Sequence, residues 1–148
     1  MEMKTIIFQL QDEEYGIPVN QVKSIEKLQH ITRVPRTVPF VKGVINLRGV
    51  VTPIIDLRSR FGLTSVDYTE NTRIIIVSID DIEVGLIVDA ANDVVDIKEG
   101  DIEPPPEVVD GIGIDYLNGV IKIDKRLLIL LNLQKVLNVH KEAETKKV

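Results

Sequence analysis

The chain has 148 residues, a net charge of −5 and no cysteine, which suits one ordinary domain or two very small ones and excludes disulfides and thiolate metal sites. Its 18 basic residues are scattered among 23 acidic ones, and that argues against nucleic acid, which demands a clustered basic face. No apolar stretch approaches the roughly 18 residues of a membrane span, and the run from Thr5 to Leu10 is too short for a signal peptide, so a soluble, cytoplasmic protein without membrane insertion is expected. The apolar residues include 21 Ile and 20 Val against 13 Leu and 3 Ala. β-branched side chains lose rotamer freedom in helices and pack well on pleated sheets, so the fold reads as mostly β.

In chain order, Thr5 to Leu10 reads as a strand that turns at Asp12 to Glu14 and returns over Tyr15 to Val19. Gln21 to Leu28 fits either a short helix or a strand. Ile31 to Val34 is extended and ends at Pro35, which biases its predecessor away from helix, and Thr37 to Phe40 is a loop. Val41 to Leu47 and Val50 to Ile55 form a hairpin around Arg48-Gly49. Asp56 can then cap a short helix, Leu57 to Phe61, stopped by Gly62. After a polar connector, Arg73 to Ile79 and Ile82 to Val88 make a second hairpin around Asp80-Asp81. Asp89 to Val95 is again short helix or strand. Ile97 to Ile102 is extended up to Pro104-Pro105-Pro106, and Glu107 to Asp115 is a loop. Tyr116 to Ile123 and Leu127 to Leu131 form a last hairpin, after which Asn132 can cap a helix over Leu133 to Val139. The charged tail, 140–148, is expected to be disordered.

Written this way the chain repeats. EYGIPVNQVKSI matches EVGLIVDAANDV with Gly16 on Gly85, a shift of 69 positions. GVINLRGVVTPIIDL matches GVIKIDKRLLILLNL with Gly43 on Gly119 and Leu57 on Leu133, a shift of 76. Two copies imply two similar units of about five strands each. Five short twisted strands can roll into a small barrel, which also removes exposed edges.

Catalytic apparatus is not visible. His30 and His140 stand apart, in a probable loop and in the tail, whereas metal sites need imidazoles or thiolates at fixed spacing. Asp12-Glu13, Asp80-Asp81 and Glu99-Asp101 fall at turns, where carboxylates stay solvated. The spacing Asp89, Asp93, Asp96 does not fit a calcium loop. Phosphate-cradling glycine motifs and a nucleophile elbow are missing as well. Neither a metal nor a cofactor is therefore expected. What remains is surface. The hairpin tip at Arg48-Gly49 either presents Arg48, with Leu47 beside it, to a partner or is a plain solvated turn with Leu47 packed inward. The Pro35 to Phe40 loop is either a lid over a barrel end or part of a docking face.

Taken together, TRVP (Thr32 to Pro35), FVKGVINLRG (Phe40 to Gly49), the Val51 to Leu57 segment VTPIIDL, RFGL (Arg60 to Leu63), VGLIVD (Val84 to Asp89), DVV-x-I (Asp93 to Ile97) and the closing LILLNL resemble the CheW family, over nearly the whole chain. That resemblance implies an all-β fold of two intertwined five-stranded SH3-like barrels with short helices after the hairpins. The expected domain spans 1–139, one unit comprising roughly 14–82 and the other the N-terminal strand plus 83–139. It also implies a non-catalytic adaptor in chemotaxis signal transduction. Such an adaptor joins the cytoplasmic tips of methyl-accepting chemoreceptors to the regulatory domain of the histidine kinase CheA, at membrane-associated receptor arrays. By resemblance, Asn46, Arg48 and Gly49 fall in the hairpin linked to receptor contacts. Val22, Ile25, Leu28 and Val95 are groove candidates for the receptor's helical hairpin, and Val38, Pro39, Phe40 and Val44 are candidates for kinase docking. Many relatives carry an acidic residue just before the isoleucine that aligns with Ile25. Here that position is Ser24, so either Glu26, two residues on and on the same strand face, takes over the charge pairing with Arg48, or the contact is absent. The competing readings are a CheW-like interaction domain of another kinase pathway, the adaptor half of a CheV-type protein, and a small β-barrel ligand- or nucleic-acid-binding protein.

Overall fold

The computed structural model describes residues 2–35, 41–64, 66–105, 108–109, 112–113 and 116–137. Strand β1 (Glu2–Leu10) turns through Gln11 into β2 (Glu13–Pro18). A single 3-10 turn, Val19–Gln21, then leads to β3 (Val22–Lys27). Strands β4 (Val41–Leu47) and β5 (Val50–Asp56) follow as a hairpin, and the short helix α1 (Leu57–Arg60) begins at once. The pattern then recurs with β6 (Arg73–Ile79), β7 (Ile82–Val88) and β8 (Ala90–Lys98). A two-residue-per-strand hairpin, β9 (Val108–Val109) and β10 (Ile112–Gly113), precedes β11 (Leu117–Ile123) and β12 (Arg126–Leu131), and residues 133–137 are helical. The two segments that fitted helix or strand equally well, Gln21 to Leu28 and Asp89 to Val95, are mainly strand. Positive φ marks the tight turns: Arg48 at 52° and Gly49 at 85°, Asp80 at 51° and Asp81 at 66°. A two-residue hairpin loop needs this backbone to match strand twist, and Gly and Asp tolerate it best.

The strands form two five-stranded sheets, ordered β11-β12-β2-β1-β8 and β3-β6-β7-β5-β4. Each closes toward a barrel. Beyond β8, Glu103 exchanges backbone hydrogen bonds of 2.8 and 2.9 Å with Val120 on β11. Beyond β3, Thr32 and Val44 on β4 exchange two of 2.9 Å. Strand membership differs from the expected division at 14–82: β2 lies in the sheet of β1, and β7 in the sheet of β6. The tight turns hold each hairpin together, and the chain changes sheet only after it, through the 3-10 turn at Val19–Gln21 and again at Asp89. Each sheet thus takes its leading hairpin from one half of the chain and its other three strands from the other half, which is the intertwining that the family resemblance implied.

The repeat holds at the level of register. Gly16 lies opposite Leu130 in a parallel pair, and Gly85 opposite Ile54 in another. A methyl group on Gly16 would meet Thr5, Leu130 and Ile7, and one on Gly85 would meet Ile54, Ile74 and Ile76. Those two sets are related by the same shifts of 69 and 76 positions read in the sequence. Gly43 and Gly119 are likewise equivalent, since a side chain there would strike the carbonyl of Thr32 or of Glu103.

Three apolar clusters follow from strand alternation. Ile7, Ile97, Ile121, Leu128 and Leu130 fill one barrel. Ile45, Ile54, Ile74, Ile76 and Ile87 fill the other. The opposite faces of the same strands meet in a common core that includes Ile6, Phe8, Tyr15, Ile75, Val77 and Leu86. This is why β1 and β6 are buried over four consecutive residues rather than on alternate ones. Pro53 is tolerated in β5 because pairing with β7 begins only at Ile54. Gly85→Ala places a methyl 2.5 Å from Ile54 Cδ1 and 2.8 Å from Ile74 Cγ2. It should cost about 1–3 kcal/mol in chemical unfolding, a typical overpacking penalty, whereas Gly100→Ala, where nothing lies within 4 Å, should shift the midpoint far less.

Candidate functional site

Two edge strands carry the exposed apolar residues that flank the common core. On β3, Ile25 lies opposite Ile75, and on β8, Val94 lies opposite Ile6. Paired residues share a sheet face, and Ile75 and Ile6 both belong to the common core. Ile25 and Val94 therefore project on the inter-barrel side, beyond the sealed core, and are 42% and 56% exposed. They are also equivalents in the repeat, 69 positions apart. The other groove candidates sit differently. Val22 packs against the common core, Leu28 against the lumen cluster of one barrel, and Val95 against the lumen cluster of the other. Val95 lies opposite Thr5, on the face away from Val94. A one-residue step along β8 thus replaces Val95 by Val94 as the outward residue. The signal was present in the sequence, because the 69-position shift maps Ile25 onto Val94.

At the end of the β4–β5 hairpin, Asn46 and Arg48 are exposed, and the turn is organised by Asn46 itself. Its Oδ1 accepts a hydrogen bond of 2.9 Å from the Gly49 amide. Leu47 packs with Leu28 and Ile31 against the lumen cluster, so it needs no partner to cover it. Arg48 Nη2 lies 3.5 Å from Glu26 Oε2, which settles the question left by Ser24: Glu26 takes the pairing. The Arg48 side chain nevertheless stays 74% exposed, so the pair anchors its direction without removing it from solvent, and such a pair contributes little to stability. Val44, the described member of the kinase candidates, is half-buried on β4 opposite Pro53; Val38, Pro39 and Phe40 lie outside the described residues, as does the 140–148 tail. Beside this strand opens an apolar hollow of about 400 Å³, walled by Val41, Pro53, Ile55, Ile79, Ile82 and Leu137 and rimmed by Asp80 and Lys135.

A second arginine was not singled out in the sequence. Arg126, at the start of β12, donates through Nε and Nη2 to the two oxygens of Glu14 at 3.0 and 2.8 Å. Through Nη1 and Nη2 it donates to the two oxygens of Asp93 at 3.1 and 3.0 Å. Asn92 Nδ2 adds a 3.0 Å bond to Glu14. The hydrogen bonds from Arg126 hold both carboxyl groups below their ordinary values of 4.5 for Glu14 and 3.8 for Asp93, and those to Asp93 and Glu14 raise the guanidinium further. A third arginine, Arg58, donates to Asp89 through Nε and Nη2 at 2.9 and 2.6 Å, and Asp89 also accepts from the Gln11 amide at 2.7 Å. This ties α1 and the β1–β2 turn to the point where the chain changes sheet. Asp56 caps α1 through the amides of Arg58 and Ser59 and accepts from Tyr68. Burial first, then the Asp56 charge and hydrogen bond, push the Tyr68 hydroxyl up.

Among the described residues, no group of three or more His, Cys, Asp or Glu side chains is placed to hold a metal ion, and no helix is long and apolar enough to cross a membrane. Arg48 stands exposed on a fixed turn, and Ile25 and Val94 face outward from edge strands. For carboxylates whose folded pKa is depressed, the stabilising contribution is complete above the unfolded value and is lost as pH falls through the folded one. The Arg126 network should therefore stabilise the fold fully above about pH 5 and lose that contribution at lower pH. Thermal unfolding of the wild type and of Arg126→Gln from pH 7 down to pH 3 should show the gap between them narrowing with acid.

Comparison with known proteins places this arrangement. Residues 4–141 match the family model described as a CheW-like domain. The chain is 50% identical over 135 residues to the chemotaxis protein CheW of Bacillus subtilis, covering 91% of this chain and 86% of that protein. It is 41% identical over 133 residues to the chemotaxis protein CheW of Klebsiella aerogenes, covering 90% and 80%. The crystal structure of the scaffolding protein TtCheW from Thermoanaerobacter tengcongensis superimposes with a TM-score of 0.85 at 39% identity, covering 93% of this chain and 88% of that one. With its two interlocked barrels and a match that runs nearly end to end, this chain belongs to the CheW family.

Proposed function

We propose that this protein is a non-catalytic scaffold of bacterial chemotaxis, coupling methyl-accepting chemoreceptors to the histidine kinase CheA at the cytoplasmic face of receptor arrays. The observation that carries this reading is the β4–β5 turn, where Arg48 is aimed by Glu26 yet left in solvent. A cation held in direction but still hydrated is suited to a partner's carboxylate or carbonyl, with little ordering cost on binding. Asn46 and Gly49 fix the turn that presents it.

The receptor's helical hairpin would lie along the inter-barrel side, with Ile25 and Val94 as outward apolar anchors, while Val22, Leu28 and Val95 support them from beneath. The kinase would dock at the β4 end of its barrel, where Val44 lies opposite Pro53 in the wall of the apolar hollow and Val38, Pro39 and Phe40 precede the strand. The adaptor would then do no chemistry. It would hold two partners in a fixed relation, so that a small receptor shift biases the kinase between states, and linkage of weak contacts into an array would sharpen the response.

Sedimentation of the protein with receptor-containing membranes, with and without CheA, tests this. The wild type should pellet with receptor and bring the kinase down. Arg48→Ala should weaken receptor capture roughly five- to thirty-fold, in the range of a contributory contact residue, with its melting temperature nearly unchanged. Failure of the wild type to bind either partner at modest salt would point to another CheW-like pathway.

A further inference from the structure

We propose that Arg126 is a positioning residue for receptor recognition, fixing the edge strand that carries Val94 without touching the partner itself. The inference rests on the receptor-adaptor reading above. Strand β8 is hydrogen-bonded to one neighbouring strand of its sheet, β1, and their register slips between Ile7 and Phe8. Ile7 lies opposite Asp93 and Phe8 opposite Ala91, so Asn92 is the residue left over. A β-bulge of this kind leaves its residue unpaired and bends the strand. It falls two positions before Val94, where a loss of register would rotate the exposed side chain toward the lumen.

Side chains hold what the main chain does not. Asn92 donates to Glu14 at 3.0 Å, and Asp93 accepts twice from Arg126 at 3.0 and 3.1 Å. Arg126 also grips Glu14 with two bonds, so one guanidinium joins β12, β2 and β8 across the barrel end. The planar fork of arginine spans two carboxylates in this way, and a lysine ammonium cannot. The other half of the chain lacks the device. Its bulge lies at the equivalent residue, Lys23, between Val22 and Ser24. The positions equivalent to Glu14, Asp93 and Arg126 are Glu83, Ser24 and Val50. A symmetric structural need would have kept the same residues in both halves. The clamp is confined to the side of β8, the strand that carries Val94.

The test uses the full chain as wild type, Arg126→Gln, Arg126→Lys and Asp93→Asn, with receptor co-sedimentation, CheA capture, melting temperature and amide hydrogen exchange measured on each. Arg126→Gln should speed exchange across residues 91–96, weaken receptor binding roughly five-fold, within the range by which non-contacting residues modulate binding, and leave CheA capture unchanged. Arg126→Lys should fall between it and the wild type. Asp93→Asn, which keeps the side-chain shape, should reproduce the receptor defect with a smaller loss of melting temperature. Receptor binding unchanged in Arg126→Gln would overturn the inference while the adaptor reading stands. Receptor and CheA capture falling together in proportion to melting temperature, in Asp93→Asn as in Arg126→Gln, would overturn it in favour of plain support of the fold. A wild type that binds no receptor would overturn the adaptor reading and this inference with it.

Discussion

The structure depends on one constraint: the leading hairpin of each half must be dry on both faces. Ile6 and Phe8 enter the common core while Ile7 enters a barrel lumen, and Ile75 and Val77 enter the common core while Ile74 and Ile76 enter the other lumen. A lone antiparallel sheet with one solvated face would show alternation there instead. The demand for two covers explains why the barrels interlock. It also explains the glycines at 16 and 85. Each lies where a parallel pair of strands brings large side chains over the hairpin, and the space a β-carbon would need is already filled.

Once the interior is set, the two halves differ most in the charges that their edge strands and turns carry. Ile25 and Val94, exposed on the inter-barrel side, are equivalents, but the charges around them are not. Arg48 makes one 3.5 Å contact with Glu26 and stays largely hydrated. Arg126 makes four hydrogen bonds to two carboxylates and is only 34% exposed. One arginine is presented and the other is spent on internal order. The two-fold repeat thereby becomes a molecule with two distinguishable sides.

Much of the fold was legible because β-structure writes itself in period and punctuation. The Ile and Val excess, the hairpins at Arg48-Gly49 and Asp80-Asp81, and the two shifts of the repeat all carried through. Strand membership did not follow from the same signals. Tyr15 to Pro18 and Ile82 to Val88 are assigned to a sheet by which hairpin they belong to, and the exit of the chain through Val19–Gln21 or Asp89 is set by tertiary packing. Asn46 and Arg48 are legible as parts of an exposed hairpin, while the choice of Ile25 rests on the family resemblance. Val94 rather than Val95 faces out, because a single-residue register in an edge strand with a bulge is decided by contacts with β1. The Arg126 network was hidden for a simpler reason: Glu14, Asp93 and Arg126 are far apart in sequence and look like solvated turn residues until the barrel closes.

The interlocking has a consequence for how the chain matures during synthesis. One sheet is built from the continuous segment 22–88, so all its strands are available once that stretch has left the ribosome. The other needs β1 and β2 at the beginning and β8, β11 and β12 near the end, pairing Thr5 with Val95 and Glu14 with Leu128. The first hairpin must therefore wait, apolar on both faces, for most of the chain to be made. Long-range pairing is slow, and exposed strands invite off-pathway association. The β1–β2 hairpin is thus the segment most exposed to such association, and its inner face is covered only through the common core that it shares with the 22–88 sheet.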